Sequence, residues 1–393
     1  MIFKTANPTR LYFGENSISN LITELEGAQK ILVTYGKGSV KKTGLYDEVI
    51  KVLEDNNKEV FELAGIKPNP DIANAYEGIE ICKSKNIDLV LAVGGTSVID
   101  CSKIIAIGAK YDGDIWEPIK NKDFTLKDRT KLGVILTNAA TSSENNYYAV
   151  ISNEKEKLKL GTAFWPMASP DFSILDPKYT VTVPEKATME SIVDICSHLI
   201  ETYFNTKDIN NPIIKILNTE LELMIKEMVN IGPKLINDLT NIEYRETMMF
   251  IASQALSTRV RHVLGGDWAC HQMEHGLSGV YDRVSHGGGL AILTPNWMDY
   301  SVDKHTTKFK QMAVNIFDIS TEGKSDLDIA EEGIMAFRNF LNNIGAPSTL
   351  SDYDIDDSDI DEIILKSLNG NKSIGGMCSL DAGAIREIFD KSM

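Results

Sequence analysis

The chain holds six histidines, and three of them fall in GGDWACHQMEHGLSGVYDRVSH, residues 265–286. His271 and His275 are four residues apart, so on an α-helix both imidazoles leave the same face one turn apart. His286 follows after a short glycine-containing turn. A second segment, MESIVDICSHLIETYF, sets Asp194 and His198 at the same spacing and makes a two-pronged platform. Imidazoles joined by one carboxylate suit a divalent transition ion, Fe(II) or Zn(II), whereas Mg and Ca prefer oxygen donors. A lone Asp-x3-His on a helix is usually a surface pair or a satisfied core histidine. Here two such segments carry apolar residues on their other faces, and an unpaired Asp194 beside isoleucine and valine would be costly to bury. Metal binding is therefore the expected chemistry.

A second kind of site is written at the ends of two apolar runs, TYGKGSVKKTG and AVGGTSVIDCSK. Glycines there let backbone amides approach phosphate oxygens, and the start of the following helix favours negative charge. Gly94, Gly95, Thr96 and Ser97 read as a pyrophosphate cradle. An acid at the end of the first strand would hold a ribose 2′-hydroxyl and repel a 2′-phosphate. Gly36, Lys37, Gly38 and Ser39 offer no acid, and Lys41 and Lys42 follow, so NADP(H) is expected ahead of NAD(H).

The elements that must position these residues divide in two. From residue 30 to about 175, short apolar runs (KILVTYG, EVFELAG, DLVLAVGG, LGVILT) alternate with helical patterns, as in βαβ units with a mostly parallel sheet. DLVLAVGG is apolar on both alternating faces, as a strand covered by helices on both sides would be. After VTVPEKAT the strand signals stop and long segments with a 3.6-residue period follow. We expect an α/β domain over residues 1–183 and an all-helical domain over 184–393. The acidic run SDYDIDDSDIDEI reads as a solvated loop and helix start, with Asp352 or Asp357 as the cap.

Composition narrows the function classes. A chain of 393 residues exceeds one ordinary core, in keeping with two domains. Its formal charge of −16 argues against a nucleic-acid footprint, which needs clustered Lys and Arg. No apolar run reaches the ~18 residues of a membrane span, and MIFKTANPTRLYFG lacks the pattern of a secretory signal, so a cytoplasmic location is expected. The five cysteines form no Cys-x2-Cys pair and fit buried apolar positions, not a disulfide framework.

PTRLYFG, YGKGSVKKTGLYDE, ELAGIKPNP, GGTSVIDCSK, the region of TSSENN, SILDP, DICSHLIETYF, GDWACHQMEH and GLAILTPNWMDY together run nearly end to end. In these stretches the chain resembles the iron-containing (group III) alcohol dehydrogenases, the NAD(P)H-dependent butanol dehydrogenases of anaerobic bacteria among them. That resemblance implies a Rossmann-like domain followed by a helical metal-binding domain, the dehydroquinate synthase-like arrangement. It implies Asp194, His198, His271 and His286 as ligands, Fe(II) ahead of Zn(II), with His275 left as a proton relay. It places Gly36, Gly38, Ser39, residues 94–97, Asp100, Thr137, Thr141, Lys159 and Tyr179 along the dinucleotide groove. It further implies a homodimer acting on a small alcohol or aldehyde of butanol size by hydride transfer.

Four departures from the family pattern stand out. Thr96 replaces the third glycine of the phosphate loop, Ser142 replaces a glycine, Gly276 replaces an acid, and the segment before His286 is one residue longer. Each raises the expectation of weakened cofactor affinity or shifted metal geometry. Two rival readings follow: a metal-dependent hydrolase using the same ligands without a dinucleotide, and a dinucleotide-binding protein with altered chemistry.

Overall fold

In the chain's computed structural model, which describes residues 3–123, 125–126, 128–156 and 158–393, eight short strands form two sheets. In chain order they are β1 (Arg10–Phe13), β2 (Lys30–Thr34), β3 (Glu59–Leu63), β4 (Leu89–Gly94), β5 (Lys131–Leu136), β6 (Tyr148–Asn153), β7 (Leu158–Ala163) and β8 (Phe172–Leu175). Six of them make one sheet in the order β1-β8-β5-β4-β2-β3, and every pairing in it is parallel. All six residues of β4 are buried, as expected of a central strand with helices on both faces.

The strand order decides where a ligand can sit. From β2 the chain passes outward to β3, then returns to the other side of β2 to lay down β4, then β5 and β8. The order reverses between β2 and β4, and in open α/β sheets the crevice beyond the carboxyl ends of the strands at such a reversal is the binding position. Both glycine-rich turns read from the sequence follow these two strands. The edge strand β1 and the antiparallel β6–β7 hairpin were not anticipated. RLYF is too short to signal alone and owes its pairing to β8, with Arg10 opposite Phe172.

The chain divides into two compact units. One runs to Val183 and also takes in Thr240–Arg259; the other comprises Pro184–Leu239 and Val260–Met393. The first junction between these units falls at Val183–Pro184, and residues 240–259, expected in the helical domain, cluster with the other unit. Helix Ile242–Ala255 packs with the α/β unit because specific groups there hold it. Phe250 meets Phe13 edge-on at 6.0 Å, the Ser142 hydroxyl donates to the Ala252 carbonyl, and Asn145 Nδ2 donates to the Ser253 carbonyl at 2.9 Å. Helical periodicity reports that a helix forms, not which core receives it.

The second unit is helical. Helix Glu185–Tyr203 begins directly after Pro184, and Phe204 at its end packs against Trp297 at 5.4 Å and Phe309 at 4.4 Å in a buried aromatic cluster. The five cysteines are buried and free. In the acidic run, Asp352 does not start the short turn Leu350–Tyr353. It reaches back from the third position to accept from the Ser348 and Thr349 amides at 2.8 and 3.0 Å. No helix among the described residues is long and apolar enough to cross a membrane.

Candidate functional site

Helix Glu185–Tyr203 carries Asp194 and His198, helix Ala269–Val280 carries His271 and His275, and His286 opens helix His286–Ser301. The glycine run after His286 permits the close approach that the site needs. A Cβ on Gly287 would overlap the Glu190 backbone, so only glycine lets this helix lie against the one bearing Asp194. Asp194 Oδ1 then has three imidazoles around it: His198 Nδ1 at 3.5 Å, His271 Nε2 at 3.7 Å and His286 Nε2 at 3.6 Å.

These atoms fit a metal. Asp194 Oδ1, His198 Nδ1 and His271 Nε2 are buried with no hydrogen-bond partner, a costly state unless something else satisfies them. One ligand atom from each of these residues lies within 4.8 Å of the others. Burial by itself raises the Asp194 carboxyl, but His198, His271 and His286 outweigh it and hold the group well below the usual carboxylate range. Burial, opposed by Asp194, pushes His198 down to about 3, leaving it neutral as a ligand must be. His271 is drawn upward, against burial, by Glu201 and Asp194. His286 is the open side of the group, 28 % exposed against 6 % for Asp194. His275 stands next to it, with the two rings 5.5 Å apart.

Sequence reasoning missed three members of this neighbourhood. Glu201, fully buried, meets His271 Nδ1, and Glu274, also fully buried, meets His286 Nδ1. Both stand three residues beyond a ligand on the same helix, and that spacing was the available signal. Trp268, in the left-handed region at φ 70°, lays its ring 5.4 Å from His271 and 6.2 Å from His198, and the Arg261 guanidinium lies over that ring, 3.8 Å from its centroid.

Two of the departures are explained here by packing. Gly276 faces helix Ile360–Leu368, and a Cβ there would run into the Ser367 hydroxyl and lie 2.7 Å from the Ile363 carbonyl. The longer segment before His286 is pinned by the acidic run expected to be merely solvated. Arg283 donates to the Tyr353 and Asp354 carbonyls at 2.8 and 3.0 Å, and Tyr281 donates to Asp359 at 2.5 Å.

In the α/β unit, Gly95, Thr96 and Ser97 after β4 and Thr137 after β5 are only half-buried, in contrast to the strands they follow. The Thr96 and Thr141 hydroxyls meet at 2.9 Å, so the threonine that departs from the glycine pattern is tied to another predicted groove residue. Gly36, Gly38 and Ser39 follow β2 as expected. Lys41, however, is committed to Glu62 at 3.4 Å and lies over the Tyr46 ring at 4.1 Å. Lys159 is on β7 opposite Ser152, in the hairpin and not in the parallel sheet. The Tyr179 hydroxyl donates to Glu48 at 3.0 Å.

Asp100, which the resemblance places along the groove, is held from within the α/β unit. It is buried, its Oδ1 accepting from the Ser143 hydroxyl at 2.5 Å and its Oδ2 from the Val150 amide at 2.8 Å. Lys103, fully buried one turn on, donates to Ser143 Oγ, Asn146 Oδ1 and the Tyr148 carbonyl at 2.9, 3.2 and 2.6 Å. The two charges thus grip the loop Thr141–Asn146 through one hydroxyl. Ser142, at φ 55°, uses the left-handed conformation that its usual glycine would adopt and adds an anchor to helix Ile242–Ala255. Removing the ammonium leaves Asp100 uncompensated in the core, so Lys103→Met is expected to cost about 3 kcal/mol or more. Denaturant unfolding would measure this, and a loss under about 1 kcal/mol would show that the pair contributes little.

Comparison with known proteins identifies the family. The family model for iron-containing alcohol dehydrogenase matches residues 8–177, and that for the C-terminal region of the same family matches 188–393. The chain is 44% identical to the probable NADH-dependent butanol dehydrogenase 1 of Bacillus subtilis, over 98% of both chains. It is 33% identical to the NADPH-dependent aldehyde reductase YqhD of Escherichia coli, over 99% of this chain and 98% of that one. The crystal structure of NADH-dependent butanol dehydrogenase A from Thermotoga maritima superposes with a TM-score of 0.93 at 35% identity, covering 100% of this chain and 98% of that one.

Proposed function

The chain belongs to the iron-containing alcohol dehydrogenase family, and from that membership we propose that it interconverts small primary aldehydes and alcohols of butanol size. The ligands of the divalent metal are Asp194, His198, His271 and His286, with Fe(II) ahead of Zn(II), and the hydride carrier is NADP(H) ahead of NAD(H). The observation that carries the reading is the convergence of buried, unpartnered ligand atoms on Asp194. When bound, such a metal polarises a carbonyl oxygen while the reduced nicotinamide supplies hydride to its carbon.

The chain's own residues do the rest. His275, half-buried beside His286, can exchange a proton on the open side of the ligand group. The amides of Gly95, Thr96 and Ser97, at the start of helix Thr96–Gly108, cradle the pyrophosphate, and Thr141 steadies Thr96. The turn after β2 presents no carboxylate to repel a 2′-phosphate. With Lys41 held by Glu62, that preference falls to the exposed Lys37, Ser39 and Lys42. A homodimer and a cytoplasmic location complete the proposal, and light scattering would report the assembly.

The deciding experiment follows reduced-nicotinamide absorbance anaerobically, with Fe(II) or Zn(II), butanal, and NADPH or NADH in separate cuvettes. Metal-dependent oxidation is expected, with kcat/KM for NADPH at least about tenfold above NADH, a difference of one charge-assisted contact. The reverse order would overturn the nucleotide preference alone. No oxidation with either, across several aldehydes and with metal bound, would overturn the reaction.

A further inference from the structure

We propose that Glu201 and Glu274 are positioning residues that chain the three ligand-bearing helices together through their imidazoles, so that the ligand geometry stands before any metal arrives. The inference rests on the metal reading above and adds to it two residues outside the ligand set.

Glu201 lies one turn beyond His198, and its carboxylate serves a single target, the start of helix Ala269–Val280. Oε1 accepts from the Cys270 amide at 2.8 Å and the His271 amide at 3.4 Å, while Oε2 meets His271 Nδ1. First-turn amides have no partner inside their own helix, and negative charge is favoured there. Glu201 therefore caps the second helix from the first, and its own carbonyl accepts from the Asp267 amide at 2.8 Å to fix the approach. Glu274 makes the same ring contact one helix on, reaching from helix Ala269–Val280 to Nδ1 of His286, the first residue of helix His286–Ser301.

The consequence is directional. With Nδ1 of each ring bound to a carboxylate, it is Nε2 of His271 and of His286 that faces Asp194 Oδ1, at 3.7 and 3.6 Å. A carboxylate on the far nitrogen selects the tautomer, fixes the ring plane and raises ligand basicity. Among the described residues, no carboxylate holds the far nitrogen of His198 in this way. His198 shares a helix with Asp194 and is held by stacking on His271, 4.6 Å between centroids. The site is thus keyed at two rings and packed at the third.

The test uses the full chain with Zn(II), competed against a chromophoric chelator, and with Co(II) read by its visible absorption bands. Glu201→Gln and Glu274→Gln are each expected to weaken Zn(II) about 10- to 100-fold and to alter the Co(II) bands, with the far-UV spectrum of a folded protein. A Zn(II) dissociation constant within about twofold of the parent, with unchanged Co(II) bands, in a folded variant would overturn the proposal. Should Glu201→Gln fail to fold, because it also caps a helix, Glu274→Gln decides alone. A parent chain that binds neither ion would instead overturn the metal reading.

Discussion

Replacing His271 with alanine is expected to empty the metal site and lower turnover by at least about 10³-fold, because a Lewis acid worth several kcal/mol of barrier goes with it. Its Nε2 is buried, unpartnered and directed at Asp194, and its loss also leaves the Glu201 carboxylate buried without its imidazole. His275→Ala is expected to behave differently although it lies one turn away on the same helix. Metal content should stay at the parent's level while turnover falls about 10²- to 10⁴-fold, the range of general acid–base catalysis. Metal analysis beside steady-state rates separates the two. Equal loss of metal and rate in His275→Ala would make it a ligand, and full occupancy in His271→Ala would remove that residue from the set.

The second large effect is on stability, at the position where an acid was expected. Gly276→Ala should destabilise the helical unit by about 3 kcal/mol, the upper end for overpacking, and Gly276→Glu by more. The new Cβ meets backbone as well as side chain: the Ile363 carbonyl at 2.7 Å and the Ser367 amide at 2.8 Å. For a body of that size the melting temperature should fall by roughly 6 to 12 °C. Trimming the neighbour in a Gly276→Ala, Ser367→Ala double variant should recover little, since both backbone contacts remain. A melting temperature within about 2 °C of the parent would show that the two helices can separate without cost. The departure at Gly276 thus belongs to a helix crossing, and a return to the family's acid would damage the protein.

Periodic spacing made much of the site legible in advance. Asp194 with His198 and His271 with His275 are pairs set by the pitch of one helix, and the turns after β2 and β4 are glycine-rich within a few residues of their strands. Such signals are local, so a single chain carries them in full. The parallel sheet followed for the same reason, since apolar runs alternating with helical patterns leave few other arrangements.

What only the tertiary structure decided lies between residues distant in the chain. Glu201 caps a helix whose ring it holds 70 positions later, Ser142 draws in a helix 110 positions away, and Gly276 is glycine because helix Ile360–Leu368 crosses there. The buried Asp100 carboxylate finds its partners in Ser143 and Val150, more than 40 positions on, which fold back over it. Spacing along one element is set by backbone geometry and shows in the residue pattern. The partner of a buried carboxylate is chosen by which elements pack together, and no local pattern encodes that choice.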